Sequence, residues 1–331
     1  MSNPEVVMLG HAAYVVPDLE KSLWFWKDVV GLIETERTAD AVYLRGFQEF
    51  EHHSLVLMAG KPDEEAHLHH AAFKARRPED VEAFAVQLGA AGVDVERVPA
   101  GTEAGQGAAI RFFVPTSGHP IEIYYDMDRP LSPREVRSAL KNQTARKGLG
   151  ISPRRIDHIN LWCGGFAPDD TIAWMSRHLG FKVREYIELP DFQLGAWMSV
   201  SPLVHDAAFM FDANSAGARH HHIAYWLDEA SEILNALEHF AEHGIKVDLG
   251  PGKHGISQAF YTYLRDPASG IRLEIFAGGY LIFDPAWEPV RWQAHEIERG
   301  LFWYGDSLDP TTQPDHPFMP TIGVRPAPGG S

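Results

Sequence analysis

Apolar and polar positions along the chain follow two periods, a strict alternation in short runs and a 3.6-residue spacing in a few longer ones, and their order occurs twice. The segments 8–126 and 155–279 each open on an alternating, strand-like run that contains a histidine, Met8 to Tyr14 with His11 and Ile156 to Trp162 with His158. A helix is predicted after each, over Leu19 to Val30 and Thr171 to Leu179, ending at a glycine suited to a left-handed cap, Gly31 or Gly180. Strands are predicted next at Ala41 to Arg45 and Leu55 to Met58 in the first segment, and at Gly195 to Val200 and Ala207 to Phe211 in the second.

The repeat then continues through His69-His70-Ala71-Ala72-Phe73 and His221-His222-Ile223-Ala224-Tyr225, each leading into a helix, near Pro78 to Ala91 and Ala230 to His243. It closes on Ile121-Glu122-Ile123-Tyr124 and Leu273-Glu274-Ile275-Phe276. His70 and Glu122 are 52 positions apart, as are His222 and Glu274; His53 and His70 are 17 apart, as are His205 and His222. Matched landmarks in the same order imply a duplication. Because the strand–helix–strand order recurs within each half, the expected class is α+β, with four βαβββ modules paired into two homologous domains of curved mixed sheet. The expected boundaries are 1–150 for a non-catalytic N-terminal domain, 151–290 for a catalytic one and 291–331 for a tail. Residues 128–154, rich in Pro, Arg and Lys, read as a linker or surface helix. The aromatic, Pro- and Gly-rich tail reads as a cover for a pocket mouth or a subunit interface.

Composition narrows the function classes. With 331 residues, 45% of them hydrophobic and 22% charged, the chain can bury two cores of ordinary domain size. A formal net charge of −16 argues against nucleic acid and anionic lipid as partners and favours a small ligand. The single cysteine, Cys163, rules out an internal disulfide and a thiolate-rich metal cluster, which fits a reducing cytoplasm. The opening Met-Ser-Asn-Pro-Glu lacks the basic and apolar regions of a signal peptide, so neither export nor membrane insertion is expected. The 18 histidines change the picture most, because imidazole ligates transition metals and exchanges protons near neutrality.

Two histidines and one carboxylate on separate strands leave part of a metal's coordination sphere open for two further ligands, the requirement of a non-haem Fe(II) oxygenase. His158, His222 and Glu274 meet it. Glu274 is flanked by Leu273 and Ile275, and in the register that buries it a carboxylate needs a cation beside it. Adjacent strand residues face opposite ways, so only one histidine of the 221–222 pair can readily reach a metal.

The run Gly252-Lys253-His254-Gly255-Ile256-Ser257-Gln258-Ala259-Phe260-Tyr261-Thr262-Tyr263-Leu264-Arg265-Asp266-Pro267, continuing to Glu274, resembles the extradiol dioxygenase motif of the vicinal oxygen chelate superfamily. His158-Ile159-Asn160, Val204-His205-Asp206 and His221-His222-Ile223-Ala224 resemble catechol 2,3-dioxygenases and homoprotocatechuate 2,3-dioxygenases, over nearly the whole chain. The resemblance implies Fe(II), with Mn(II) as the other candidate, on His158, His222 and Glu274; it selects His222 from the 221–222 pair, so that His220 and His221 read as structural or surface residues. It implies Tyr263 and His254 on the oxygens of a catechol, His205 beside dioxygen as a proton carrier with a pKa near neutrality, Asn160 as a positioning group, and Trp197 as a wall for the ring. It also implies a homotetramer. Pro267-Ala268-Ser269-Gly270 has one residue more than the family's usual Pro-x-Gly turn, an insertion expected to leave Glu274 in place.

Where the homoprotocatechuate branch has an arginine before the Gly-Pro-Gly-x-His-Gly run, this chain has Leu249; Arg299 in the tail is the remaining cation. The expected substrate is therefore catechol or an alkyl- or halo-substituted catechol, with homoprotocatechuate as the alternative. A lyase or isomerase of the same fold using Zn(II) or Ni(II), and a non-catalytic ligand-sequestering protein, are the readings from other classes. In the first half His11, His70 and Glu122 match the three ligands and His53 matches His205. Ala13, Arg111 and Thr102, however, stand where the second half has Asn160, Tyr263 and His254. A guanidinium at Arg111 is expected to oppose a cation, leaving this half a structural role.

Overall fold

A computed structural model of the chain describes residues 3–61, 63–213, 215–308 and 322–328. The first half runs β1 (Val6–Val16), α1 (Leu19–Leu23), β2 (Ile33–Arg37), β3 (Ala41–Arg45), β4 (Leu55–Ala59), β5 (His67–Ala75), α2 (Pro78–Ala90), β6 (Val95–Val98), β7 (Ala109–Phe113) and β8 (Pro120–Tyr124). The second repeats that order with β9 (Arg155–Gly164), α3 (Asp169–Leu179), β10 (Lys182–Glu188), β11 (Gln193–Ser199), β12 (Ala207–Asp212), β13 (Arg219–Leu227), α4 (Ala230–Glu242), β14 (Val247–Lys253), β15 (Ala259–Arg265) and β16 (Arg272–Gly278). Four βαβββ modules result, as the pattern predicts.

Local chemistry accounts for the helices. Acidic Asp169 and Asp170 open α3 and basic Arg177 and His178 close it, each sign matched to the helix dipole, and Gly180 at φ 76° supplies the left-handed exit. Glu229 and Glu232 form a reciprocal capping box at the start of α4, whose Ile233, Ala236 and Phe240 face inward. The helix predicted to end at Gly31 begins as α1 but continues as a π-helical segment over Trp24–Val29, which buries Phe25, Trp26 and Val29.

Each half forms one mixed sheet. The order is β2-β3-β4-β1-β5-β8-β7-β6 in the first and β10-β11-β12-β9-β13-β16-β15-β14 in the second. The parallel pairs are the module closures β1–β4, β5–β8, β9–β12 and β13–β16. Two tail strands extend this scaffold: β17 (Val290–Gln293) lies parallel to β10, and β18 (Ile322–Val324) pairs with both β13 and β5, tying the sheets together. One apolar cluster, with Phe25, Phe73 and Phe112 from the first half and Ile159, Phe209 and Leu273 from the second, fills the space between sheets and helices. A separate cluster of Trp162, Trp197, Met210, Leu249, Tyr263 and Phe302 lies on the other face of the second sheet.

The 128–154 segment forms no helix. Pro130, Pro133 and Pro153 interrupt it, and the first half holds it as turns: Arg45 donates to the Pro130 carbonyl at 2.8 Å, and Thr144 Oγ1 to that of Phe47 at 2.7 Å. In the tail, α5 (Ile297–Leu301) packs over the second sheet, while residues 309–321 and 329–331 lie outside the described residues. Among the described residues no helix is long and apolar enough to cross a membrane.

Candidate metal centre and active site

Strand register alone brings most of the predicted residues into one row. Trp197 pairs with Ala208, Ala208 with Asn160, and Asn160 with His222. Two residues beyond His222, Ala224 pairs with Glu274, Glu274 with Tyr263, and Tyr263 with Leu249. Since side chains alternate across a strand, Trp197, Asn160, His222, Glu274, Tyr263 and Leu249 project from the same face, and His158 joins them two residues before Asn160.

At the centre, His158 Nε2 and His222 Nε2 stand 3.2 Å apart, and Glu274 Oε2 lies 2.9 Å from the first and 3.0 Å from the second. All three residues are buried. The other carboxylate oxygen, Glu274 Oε1, is buried with no hydrogen-bond partner among the described residues. Two inward-facing imidazole nitrogens and a buried carboxylate with an unused oxygen make a donor set suited to a divalent first-row metal, so the residues fit the group that the sequence implies. Burial pushes the His222 pKa down to about 4, which keeps its ring neutral and able to ligate. Burial also opposes charge on His158, but hydrogen bonds to Asp157 and Glu274 outweigh it and lift this group to about 9. Burial likewise works against ionised Glu274, yet His222 and His158 hold its carboxyl well below the usual range.

The groups expected to meet a catechol lie beside this centre. His254 Nδ1 donates to the Leu301 carbonyl at 2.5 Å, so its Nε2 is left to accept, and Tyr263 Oη donates to it at 3.1 Å. The His205 ring lies 3.9 Å from that of His158, centroid to centroid. Burial drives the His205 pKa well below the ordinary imidazole value of 6.5, so this side chain is a neutral base and not a group poised near neutrality as the sequence suggests. Asn160 Oδ1 is buried with no hydrogen-bond partner among the described residues. The cavity they line is completed by Trp162, Trp197, Met210, Leu249, Ile256, Phe276, Leu301 and Phe302.

Several expectations need correction. Arg299 does not line this cavity: α5 turns Gly300 and Leu301 inward and leaves Arg299 exposed, its guanidinium 5.1 Å from the ring centre of Trp303. Neither His220 nor His221 is a surface residue. A register shift in β13 between His220 and His222 breaks the alternation, so His221 also lines the cavity, its ring stacked 4.7 Å from Trp162 and its Nδ1 2.6 Å from Nδ1 of His222. His220 Nε2 instead meets Tyr14 Oη of the first half at 3.0 Å. The long turn after Pro267 closes on Asp266, which accepts from Ala268 N and Ser269 Oγ, and Glu274 keeps its place on β16.

Other supporting residues carry no signal in the sequence. Asp157 accepts from His158 Nδ1 at 2.9 Å, which directs Nε2 to the centre. Glu185, buried on β10, accepts from Ser257 N at 2.6 Å, Trp292 Nε1 at 2.8 Å and Tyr280 Oη at 2.9 Å, and so anchors the loop after His254. Their partners lie far away along the chain, so spacing could not reveal them.

The model of the glyoxalase/bleomycin resistance protein/dioxygenase superfamily matches residues 8–123 and 155–275, one match for each half. The chain belongs to this superfamily. Within it, the chain is 49% identical over 308 residues to a manganese-dependent 2,3-dihydroxybiphenyl 1,2-dioxygenase from Geobacillus genomosp. 3, covering 92% of this chain and 96% of that one. It is 34% identical over 308 residues to a metapyrocatechase of Geobacillus stearothermophilus, covering 92% and 91%. Among solved structures of the superfamily, homoprotocatechuate 2,3-dioxygenase from Arthrobacter globiformis superposes with a TM-score of 0.84 at 29% identity, covering 99% of this chain and 97% of that one.

Proposed function

We propose that the protein is an extradiol dioxygenase that cleaves an uncharged catechol next to its diol, incorporating both atoms of O2 to give a 2-hydroxymuconic semialdehyde-type product. One observation carries this reading: three buried donor atoms, His158 Nε2, His222 Nε2 and Glu274 Oε2, converge within 3.2 Å of one another beside Tyr263, His254 and His205. These three residues would hold Fe(II) or Mn(II), which when bound supplies Lewis acidity toward the catechol oxygens and redox access to dioxygen. Extradiol activity in the curated relatives supports the assignment.

The chain's own groups supply the rest. Tyr263 and His254, paired with each other at 3.1 Å, exchange that bond for bonds to the catechol oxygens and orient the ring. Neutral His205 takes a hydroxyl proton of the catechol and returns it as the ring opens. Asn160 offers its side chain on the same face, and Trp197 with Phe302 excludes water from the ring. Among the described residues no Lys or Arg lines the cavity, and the buried Arg272 behind it is paired with Asp248 at 2.7 Å, which favours catechol and alkyl- or halo-substituted catechols over homoprotocatechuate. The first half would stay non-catalytic, and the enzyme would work as a cytoplasmic homotetramer.

Anaerobic loading with Fe(II) or Mn(II), followed by a panel of catechol, 3- and 4-methylcatechol and homoprotocatechuate in air, tests the proposal. The expected result is one O2 consumed per catechol with a yellow product, fastest for the uncharged members. No oxygen uptake across the panel would overturn it, and points to a non-redox lyase, an isomerase or a sequestering protein.

A further inference from the structure

The first half contains a buried cluster that the proposed reaction does not use. His11 on β1 and His70 on β5 bring their Nε2 atoms to 3.3 Å with the rings at 84°, close to the 3.2 Å and 79° of His158 and His222. Glu122 on β8 pairs with Ala72, as Glu274 pairs with Ala224. This repeat-matched carboxylate is largely engaged, because Arg111 Nε donates to its Oε2 at 2.5 Å and Gln106 Nε2 to its Oε1 at 2.7 Å.

A second carboxylate, absent from the repeat pattern, completes the cluster. Glu103 reaches in from the loop before β7 and is 4% exposed. Arg111 Nη2 binds its Oε1. Its Oε2 has no hydrogen-bond partner among the described residues and stands 3.3 Å from His11 Nε2 and 3.6 Å from His53 Nε2, itself buried and without a hydrogen-bond partner. The guanidinium expected to repel a cation is thus matched by two carboxylates, and one negative charge is left over among buried groups.

We infer that the first half binds a second divalent cation of the first-row, borderline class, held by His11 Nε2, His70 Nε2 and Glu103 Oε2, with Glu122 Oε1 closing the fourth side. Glu122 Oε1 lies 3.6 Å from His11 Nε2, and the donor atoms of all four residues fall within 4.8 Å of one another. Four protein donors leave no position for a substrate, and Arg111 fills the side where the second half has Tyr263. The ion is therefore structural: it fastens β1, β5, β8 and the Glu103 loop, and takes no part in catechol cleavage.

The test is a metal count on the full-length protein. Apo-protein is loaded with Co(II), desalted and analysed by elemental mass spectrometry, with the visible bands of Co(II) as a second readout. Wild type should hold two equivalents per chain. His222→Ala/Glu274→Gln, which leaves the first half untouched, should keep one. Glu103→Gln should also keep one, melt at lower temperature and still consume O2 with catechol once loaded with Fe(II). A single equivalent in wild type with none in the double variant would overturn the inference, and would mean that a shared proton between His11 and Glu103 satisfies the cluster. Two equivalents in both His11→Ala and Glu103→Gln would overturn it equally.

Discussion

Glu49 of the first half accepts the backbone N–H of Ile156 at 2.9 Å, two residues before His158 on β9. The same half-buried carboxylate accepts from Gly46 N at 2.5 Å and Ser54 Oγ at 2.6 Å. A matching link runs the other way: Leu9 N, two residues before His11, donates to Asp206 Oδ1 of the second half at 3.5 Å. Each half thus holds the strand that begins the other's histidine cluster. Glu49→Ala would strand two buried backbone donors and open a cavity, so a loss of about 3 kcal/mol is expected. Urea denaturation measures it, and a change below about 0.5 kcal/mol, the size typical of neutral surface substitutions, would show that the link is idle.

His221 offers a second prediction, because it touches a proposed ligand without facing the centre. Arg272 Nη1 donates to His221 Nε2 at 2.5 Å, which leaves the His221 proton on Nδ1, 2.6 Å from Nδ1 of His222, so His221 positions the ligand ring from behind. Trp162 holds the His221 ring by stacking at 4.7 Å. His221→Ala should weaken metal affinity by about 10–100-fold, the usual cost of losing such an outer partner. Turnover at saturating metal should change far less. Competition against a chelator reads the affinity, and unchanged retention would refute the role.

The difference between these two residues shows what a sequence can carry. His158, His222 and Glu274 were legible because a duplication repeats their spacing and because alternation fixes which strand positions share a face. Glu49 and Asp157 were not, because their work is done across contacts that no period encodes. His221 was half legible: alternation turned it away from the centre, and a register shift in β13 brought it back to the cavity wall. Glu103 was invisible for the same reason as Glu49, since its loop position matches no ligand in the second half. The four modules and most helix ends followed from hydrophobic period and glycine caps. The 128–154 segment did not, because its turns depend on partners such as Arg45 and Phe47 in the first half.

The junction between the halves carries a pH-dependent contribution. Arg154 donates to both oxygens of Asp228, Nε to Oδ1 and Nη2 to Oδ2, at 2.5 Å each, and these bonds hold the Asp228 carboxyl below its ordinary 3.8. A carboxyl whose folded pKa is depressed stabilises the fold at pH above the unfolded value, and that stabilisation is lost as pH falls through the folded value. The pair is partly exposed, so solvent screening limits it to about 1 kcal/mol. Asp228→Asn should therefore be less stable than wild type by about that amount at neutral pH. The gap should close as pH drops below 3.8. A gap that persists undiminished in acid would mean that packing, not charge, holds the junction.

Substrate charge should be decided at Leu249 and not at Arg299. Leu249 pairs with Tyr263 and lines the cavity, whereas Arg299 is exposed and stacks on Trp303 outside it. Arg299→Ala should leave KM and kcat for catechol unchanged within a factor of about two, because an exposed cation at that distance is screened by water and salt. Leu249→Arg places a guanidinium where a carboxylated side chain of the substrate would end. Such a pair is worth about 1–3 kcal/mol as a charge-assisted hydrogen bond, so kcat/KM for homoprotocatechuate should rise roughly 5- to 150-fold relative to catechol. The same substitution should slow turnover of uncharged catechols, since the new cation then lies buried without a partner. Steady-state oxygen uptake with both substrates separates the cases: if Arg299→Ala alone abolishes a preference between them, specificity resides in the tail and not in the cavity wall.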